Sequence, residues 1–210
     1  MSEYNTDEEE LQKLKDWWND NKVFVVTGLM AGAAILFGFN WYKNMVATRS
    51  ADASMVFEEL QDAVENGNRD VAIAKSAELK DKYSATPYDA QAALSLAKVH
   101  VEAGDFDAAI AALKVAMSNG NAELVHVARL RLARVQLAAG DSAAAKATLS
   151  VQSEGEFSPL YQELRGDVHV AAGDTEAAIE QYKLALAHEI PLGDVSFLEM
   201  KLQNLGATTD

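Results

Sequence analysis

The chain has 210 residues, a formal net charge of -14 and no cysteine. The lack of cysteine excludes disulfide bonds, thiolate metal ligands and cysteine nucleophiles. The negative charge argues against binding to nucleic acids or anionic lipid headgroups, because their phosphate groups would be repelled. Abundant Ala, Leu, Glu and Lys with only three prolines predict an all-α fold.

Residues 1–22 form an acidic N-terminal tail with seven Asp or Glu residues and three Lys. We expect residues 1–10 to lack regular structure, because they are polar and acidic. The following segment predicts a short amphipathic helix, with an apolar side made of Leu11, Leu14, Trp17 and Trp18. This helix is expected to lie along a membrane surface, and the alternative is a docking peptide for a cytoplasmic partner.

Residues 23–42 carry no charged side chain. At about 1.5 Å per residue, a helix of this length spans the hydrocarbon core of a bilayer, which is about 30 Å thick. Trp17 and Trp18 precede the run and Trp41 and Tyr42 lie at its end, where amphipathic aromatic rings favour the headgroup level. The sequence predicts a single transmembrane helix that stays attached to the protein. The alternatives are a buried core helix and a cleaved signal peptide.

Gly28 and Gly32 lie four residues apart within this span. Small residues at this spacing allow two helices to approach closely in lipid. They predict a contact with another transmembrane helix, although the same pattern also occurs as ordinary span composition.

Basic residues are distributed almost evenly around the span. Three lysines precede it, and Lys43 and Arg49 follow it. The side of a span with more Lys and Arg tends to stay in the cytoplasm. The charges therefore favour, by one residue, a cytoplasmic N-terminus with the rest of the chain in a periplasm or an equivalent space. A cytoplasmic orientation of the C-terminal domain stays open.

Residues 43–50 are predicted to continue the helix as a stalk, and repeats follow. Three segments align without gaps around a Gly-Asp turn, and their glycines Gly104, Gly140 and Gly173 are 36 and 33 residues apart. A fainter copy surrounds Gly67. A period of this length indicates stacked helical hairpins.

Each repeat carries the turn chemistry of a helical hairpin. The glycine ends the first helix in a left-handed conformation, and the following aspartate caps the second helix. Small residues seven before and five after the glycine allow close helix packing. We predict three to four hairpins over residues 51–192, and a capping helix with a short tail over residues 193–210.

The small and apolar positions resemble those of the tetratricopeptide repeat. The first and third copies match it best, at Ala97, Ala109, Leu113 and Ala116 and at Gly166, Ala178, Tyr182 and Ala185. The second copy departs from the pattern with Gln152, and the early tryptophan of that repeat is absent. The resemblance implies a tetratricopeptide-repeat α-solenoid.

The order of tail, glycine-containing span and repeats resembles the bacterial YfgM family, most specifically in LRLARVQLAAGD (130–141), LRGD (164–167) and MKLQNL (200–205). The resemblance implies a single-pass inner-membrane protein with a cytoplasmic N-terminus and a periplasmic repeat domain. It also implies an ancillary subunit of the SecYEG translocon that is paired with the membrane-anchored periplasmic foldase PpiD. Such a subunit would help to pass newly translocated proteins to chaperones, and its tail is tied to envelope-stress signalling. A membrane-anchored regulatory adaptor with a cytoplasmic-facing repeat domain is the alternative.

No catalytic, metal-binding or cofactor-binding constellation is evident in the sequence. The four histidines lack the spacing of metal ligands, and nucleophile or phosphate-binding motifs are absent. We therefore expect no enzyme activity, no cofactor, no small-molecule substrate and no nucleic-acid partner. The expected functional element is a protein-binding surface.

The first helices of successive repeats are expected to line the concave side of a solenoid. By repeat position the candidate partner-binding residues are Gln91, Lys98, Glu102, Val127, Arg131, Arg134, Leu160, Glu163 and Asp167. Arg129, Arg131 and Arg134 form a basic cluster in an otherwise acidic domain. They are expected either to pair with acidic neighbours or to contact an anion or an acidic peptide.

Overall fold

The computed structural model describes residues 4–188 and 195–207, and the side chains from residue 9 onward. The described residues form nine α-helices and one 3-10 helix, with no strand among them. The helices are α1 (Tyr4–Glu65), α2 (Arg69–Tyr83), α3 (Pro87–Glu102), α4 (Phe106–Asn119), α5 (Ala122–Ala138), α6 (Ser142–Thr148), α7 (Ser158–Ala171), α8 (Thr175–Leu186) and α9 (Val195–Asn204), with the 3-10 helix at Gly155–Phe157. The predicted all-α fold is confirmed.

The chain divides into two compact units, Met1–Ala51 and Asp52–Asp210. In the first unit, helix α1 begins at Tyr4 and includes the tail residues that were expected to lack structure. That expectation is wrong for residues 4–10. Acidic residues are favourable near the positive N-terminal end of a helix dipole, which gives a physical reason for this early start. The limits of the tail, span and stalk stay predictions.

The second unit consists of helical hairpins with the predicted turn chemistry. Gly104 has a φ of 72°, and the Asp105 backbone N–H donates to the His100 carbonyl at 2.9 Å. The Asp105 carboxylate then caps α4 by accepting from the Ala108 N–H at 3.2 Å. The turns at Gly140 and Gly173 repeat this arrangement. One local sequence pattern therefore produces the same helix end and helix start three times.

The fainter first copy forms the same turn without the side-chain cap. Gly67 has a φ of 69°, and the Asn68 N–H donates to the Ala63 carbonyl at 2.8 Å. Asn68 makes no capping bond with its side chain. The hairpin nevertheless packs as the others do, because Ala72 is fully buried at the predicted small position.

The small residues predicted at the helix crossings are buried. Ala97 and Ala109 face the buried Leu113 in the second hairpin. In the last hairpin the corresponding pair is Gly166 and Tyr182, and a Cβ atom added at Gly166 would lie within 3.0 Å of three Tyr182 ring atoms. The glycine therefore provides the space that the larger tyrosine ring needs.

The core is a series of clusters that join neighbouring elements. One cluster joins the C-terminal part of α1 with α2 and α3, and the next joins α3, α4 and α5. A third joins α5, α6 and α7, and a fourth joins α8 and α9. Each hairpin thus buries its apolar face against its neighbour, which is the packing of a solenoid.

Helix α9 closes the last hairpin, as predicted for a capping helix. Leu198 and Leu202 are buried against Tyr182 and Ala185 of α8. The predicted boundary at residues 192 and 193 lies outside the described residues. The assignment of domain limits therefore stays a prediction, whereas the capping packing is observed.

Candidate functional site

The predicted span lies within α1 and has none of its side chains packed inside the protein. An apolar window of this helix has a mean hydropathy of 1.9 and is 0% buried. Phe24 and Phe37 are each 77% exposed. A buried core helix would cover such rings, so that alternative is wrong for this structure. The exposed apolar surface fits a membrane-anchored protein.

Gly28 and Gly32 present an open face of the span. A Cβ atom added at either position would meet no atom within 4 Å. Nothing in the described part of the chain therefore occupies this face. The predicted contact with another transmembrane helix stays a prediction.

A groove lies between the first helices of two successive repeats, and we name it the α3/α5 groove. Its volume is about 360 Å³. Helices α3 and α5 supply the walls, and α4 supplies one floor residue. The apolar floor is made of Leu94, Ala97, Leu113 and Val135, and the rim is made of Lys98, Val101, Glu102, Arg131 and Arg134.

The α3/α5 groove has a positively charged rim in an acidic domain. Lys98 Nζ lies 3.8 Å from Glu102 Oε1, and both side chains are more than half exposed. Arg131 and Arg134 are exposed and make no ion pair or hydrogen bond with the described residues. Arg129 also makes none there. The alternative in which these arginines pair with acidic neighbours is therefore wrong within the described part of the chain.

The other predicted partner-binding residues lie elsewhere. Gln91 lines a separate, more polar cleft of about 420 Å³, formed by the α2–α3 and α4–α5 connections. Val127 packs against the cluster of α3, α4 and α5, and Leu160 packs against the cluster of α5, α6 and α7. The structure thus brings together four of the nine predicted residues: Lys98, Glu102, Arg131 and Arg134.

Glu163 and Asp167 are occupied by the capping helix. Lys201 Nζ donates to Glu163 Oε1 at 2.7 Å and to Asp167 Oδ1 at 2.7 Å. The Tyr182 hydroxyl also donates to Asp167, at 2.7 Å. Burial and this hydrogen bond to a carboxylate raise the pKa of Tyr182 well above its usual value, so the hydroxyl stays protonated. These carboxylates therefore bind Lys201 of α9, and their predicted contact with a partner stays a prediction.

Comparison with known proteins supports the repeat architecture. A family model described as a tetratricopeptide repeat-like domain matches residues 15–207. The chain is 31% identical to an ancillary SecYEG translocon subunit of Haemophilus influenzae, over 95% of this chain and 97% of that protein. The chain therefore belongs to the family of tetratricopeptide repeat-like proteins that includes the ancillary SecYEG translocon subunits. No solved structure matches it.

Relatives with the same description occur in other bacteria. The Neisseria gonorrhoeae protein is 29% identical over 98% of this chain and 100% of its own length. The Escherichia coli protein is 25% identical over 98% of this chain and 99% of its own length. The similarity therefore extends over nearly the whole chain and includes the N-terminal helix as well as the repeats.

Three of the four histidines of this family member take part in local structure. His100 Nδ1 lies 3.7 Å from the capping carboxylate of Asp105, and His169 stands in the same relation to its own turn aspartate at 3.4 Å. His126 contacts the Tyr161 hydroxyl at 2.9 Å and stacks on Phe157. Within the described residues, no three His, Asp or Glu side chains are arranged to hold a metal ion.

Sequence reasoning missed two features of the site. Val101, 38% exposed, adds apolar surface to the groove rim and follows Lys98 by three residues on the same helix face. That spacing was a usable signal. Lys201 gave no such signal, because its contact with Asp167 joins residues 34 positions apart.

Proposed function

We propose that this protein is a non-enzymatic, membrane-anchored ancillary subunit of the Sec translocon. The observation that carries the proposal is its similarity, over nearly its whole length, to proteins described as ancillary SecYEG translocon subunits. The exposed apolar segment of α1 and the hairpin domain support it, because they provide an anchor and a protein-binding surface. The anchor keeps the repeat domain beside the membrane.

We place the N-terminus in the cytoplasm and the repeat domain in the periplasm. The excess of basic residues on the N-terminal side of the span supports this orientation. In the periplasm the repeat domain acts as a scaffold or chaperone-like module for newly translocated proteins. A membrane-anchored periplasmic foldase of the PpiD type is its proposed companion, and the acidic tail is a candidate element in envelope-stress signalling.

In this role the chain acts by binding other proteins. The α3/α5 groove combines an apolar floor with two arginines that have no partner among the described residues, which suits contact with a polypeptide rather than turnover of a substrate. Gly28 and Gly32 offer a flat face on which a translocon helix can pack closely.

Affinity purification of the tagged full chain from membranes in a mild detergent tests the association. SecYEG subunits and a membrane-anchored foldase should be recovered with it. Replacement of both Gly28 and Gly32 by Leu should reduce this recovery, whereas Leu at Ala33 and Ala34 serves as a control with similar added bulk. Recovery of the intact wild-type chain without any Sec subunit would contradict the proposal.

Fusions at the C-terminus test the orientation. Alkaline phosphatase should be active and green fluorescent protein should stay dark when the repeat domain is periplasmic. The reverse pattern would identify the protein as a regulatory adaptor with a cytoplasmic repeat domain.

A further inference from the structure

We propose that the α3/α5 groove binds a short peptide segment in which an apolar side chain lies next to carboxylates. The inference rests on the proposed function, because it specifies the polypeptide chemistry that the repeat domain recognises. The apolar side chain enters the floor, and the carboxylates pair with Arg131 and Arg134.

The two arginines contribute nothing evident to the stability of the fold. They lie three residues apart on one face of α5, where like charges repel each other. Both are exposed, and neither has a partner among the described residues. A carboxylate from another molecule would relieve this repulsion and accept bidentate hydrogen bonds from a guanidinium group.

The floor selects a side chain rather than a large ligand. A volume of about 360 Å³ lies near the lower end of the range for small-molecule pockets, which is roughly 300–1,000 Å³. Leu94, Leu113 and Val135 form its surface, and each is less than a tenth exposed. One or two apolar side chains of a peptide fit this space, with the remaining peptide lying across the rim.

The charge of the groove rim and of the whole chain favours a short acidic peptide over an extended polyanion. The groove rim has three cations, Lys98, Arg131 and Arg134, against one carboxylate, Glu102. Outside it the chain is strongly acidic, with a net charge of -14 overall. Extended polyanions such as nucleic acids or anionic membrane surfaces would meet repulsion from the net negative charge of the chain. A short segment with a few carboxylates would not.

Fluorescence anisotropy of labelled peptides with the purified full chain in detergent tests the inference. The probe is a short Gly-Ser peptide containing adjacent leucines flanked by glutamates. One matched peptide has glutamine in place of glutamate, and a second has serine in place of leucine. We expect each change to weaken binding about tenfold, and we expect added salt to weaken binding of the acidic probe only.

The decisive variant is Arg131→Gln with Arg134→Gln. Its control is Lys114→Gln with Lys146→Gln, which removes the same charge from exposed positions outside the groove. The arginine variant should bind the acidic probe about tenfold more weakly, and the control should bind it like the wild type. Equal affinities of the two variants would overturn the inference. So would tight binding of the glutamine peptide, or a dimer of the full chain that only the arginine variant dissociates.

Recovery of Sec subunits with the same variants separates this inference from the proposed function. If Sec subunits are recovered but peptide binding does not depend on Arg131 and Arg134, only the groove inference is overturned. Groove-dependent peptide binding without Sec recovery would overturn only the proposed translocon association.

Discussion

Replacement of Gly166 by Ala should destabilise the last hairpin by about 2 kcal/mol, because the new methyl group overlaps the Tyr182 ring. Overpacking of a core costs about 1–3 kcal/mol. If the ring moves away, its 2.7 Å hydrogen bond to Asp167 is lost, at about 1.5–3 kcal/mol for a charged acceptor. The higher helix propensity of alanine offsets about 1 kcal/mol of this.

The assay is thermal unfolding of the full chain in mild detergent, followed by circular dichroism. For a domain of this size, a loss of 2 kcal/mol lowers the Tm by about 4–8 °C. The matched background is Tyr182→Leu, since the earlier hairpins pair Ala97 with Leu113 and Ala133 with Leu149. In that background Gly166→Ala should cost nothing or stabilise slightly. An equal loss in both backgrounds would refute the steric explanation.

Three further predictions concern the cap, the closing helix and alkaline pH. Asp141→Ala should lower the stability by about 1 kcal/mol, because α6 loses the 2.8 Å bond to its Ala144 N–H, and Asp141→Asn should retain most of it. Lys201→Met should lower the free energy of unfolding by about 2–3 kcal/mol, since it leaves two partly buried carboxylates without their cation. Limited proteolysis of this variant should then cut at α9 first. Unchanged protection of α9 would contradict the role of Lys201 in holding this helix. Because the fold raises the pKa of Tyr182, the contribution of its protonated hydroxyl to the free energy of unfolding is fully present below about pH 10. This contribution is lost as the pH rises further, by up to about 1.4 kcal/mol per pH unit. Tyr182→Phe should reduce the fall in the urea midpoint between pH 9 and pH 11, and an unchanged fall would exclude this tyrosine as its source.

Local features of the sequence predicted most of the helices. The Gly-Asp turns at Gly104, Gly140 and Gly173 determine where helices end and begin, because left-handed glycine and aspartate capping act within a few residues. The continuity of α1 was not predicted, although no glycine or proline occurs between Gly38 and Gly67 to interrupt it. The uncharged run from Val23 to Tyr42 likewise indicates a span through length and composition alone.

The composition of the proposed binding surface was decided by tertiary packing. Arg134 and Asp167 occupy the same position in their repeats. In the structure, however, Arg134 lines the α3/α5 groove, whereas Asp167 is bound by Lys201 of α9. The sequence by itself determined the anchor, the hairpins and their turns, because these depend on contacts between nearby residues. Only the tertiary structure decided which charges stay available to a partner, since that depends on side chains brought together from distant parts of the chain.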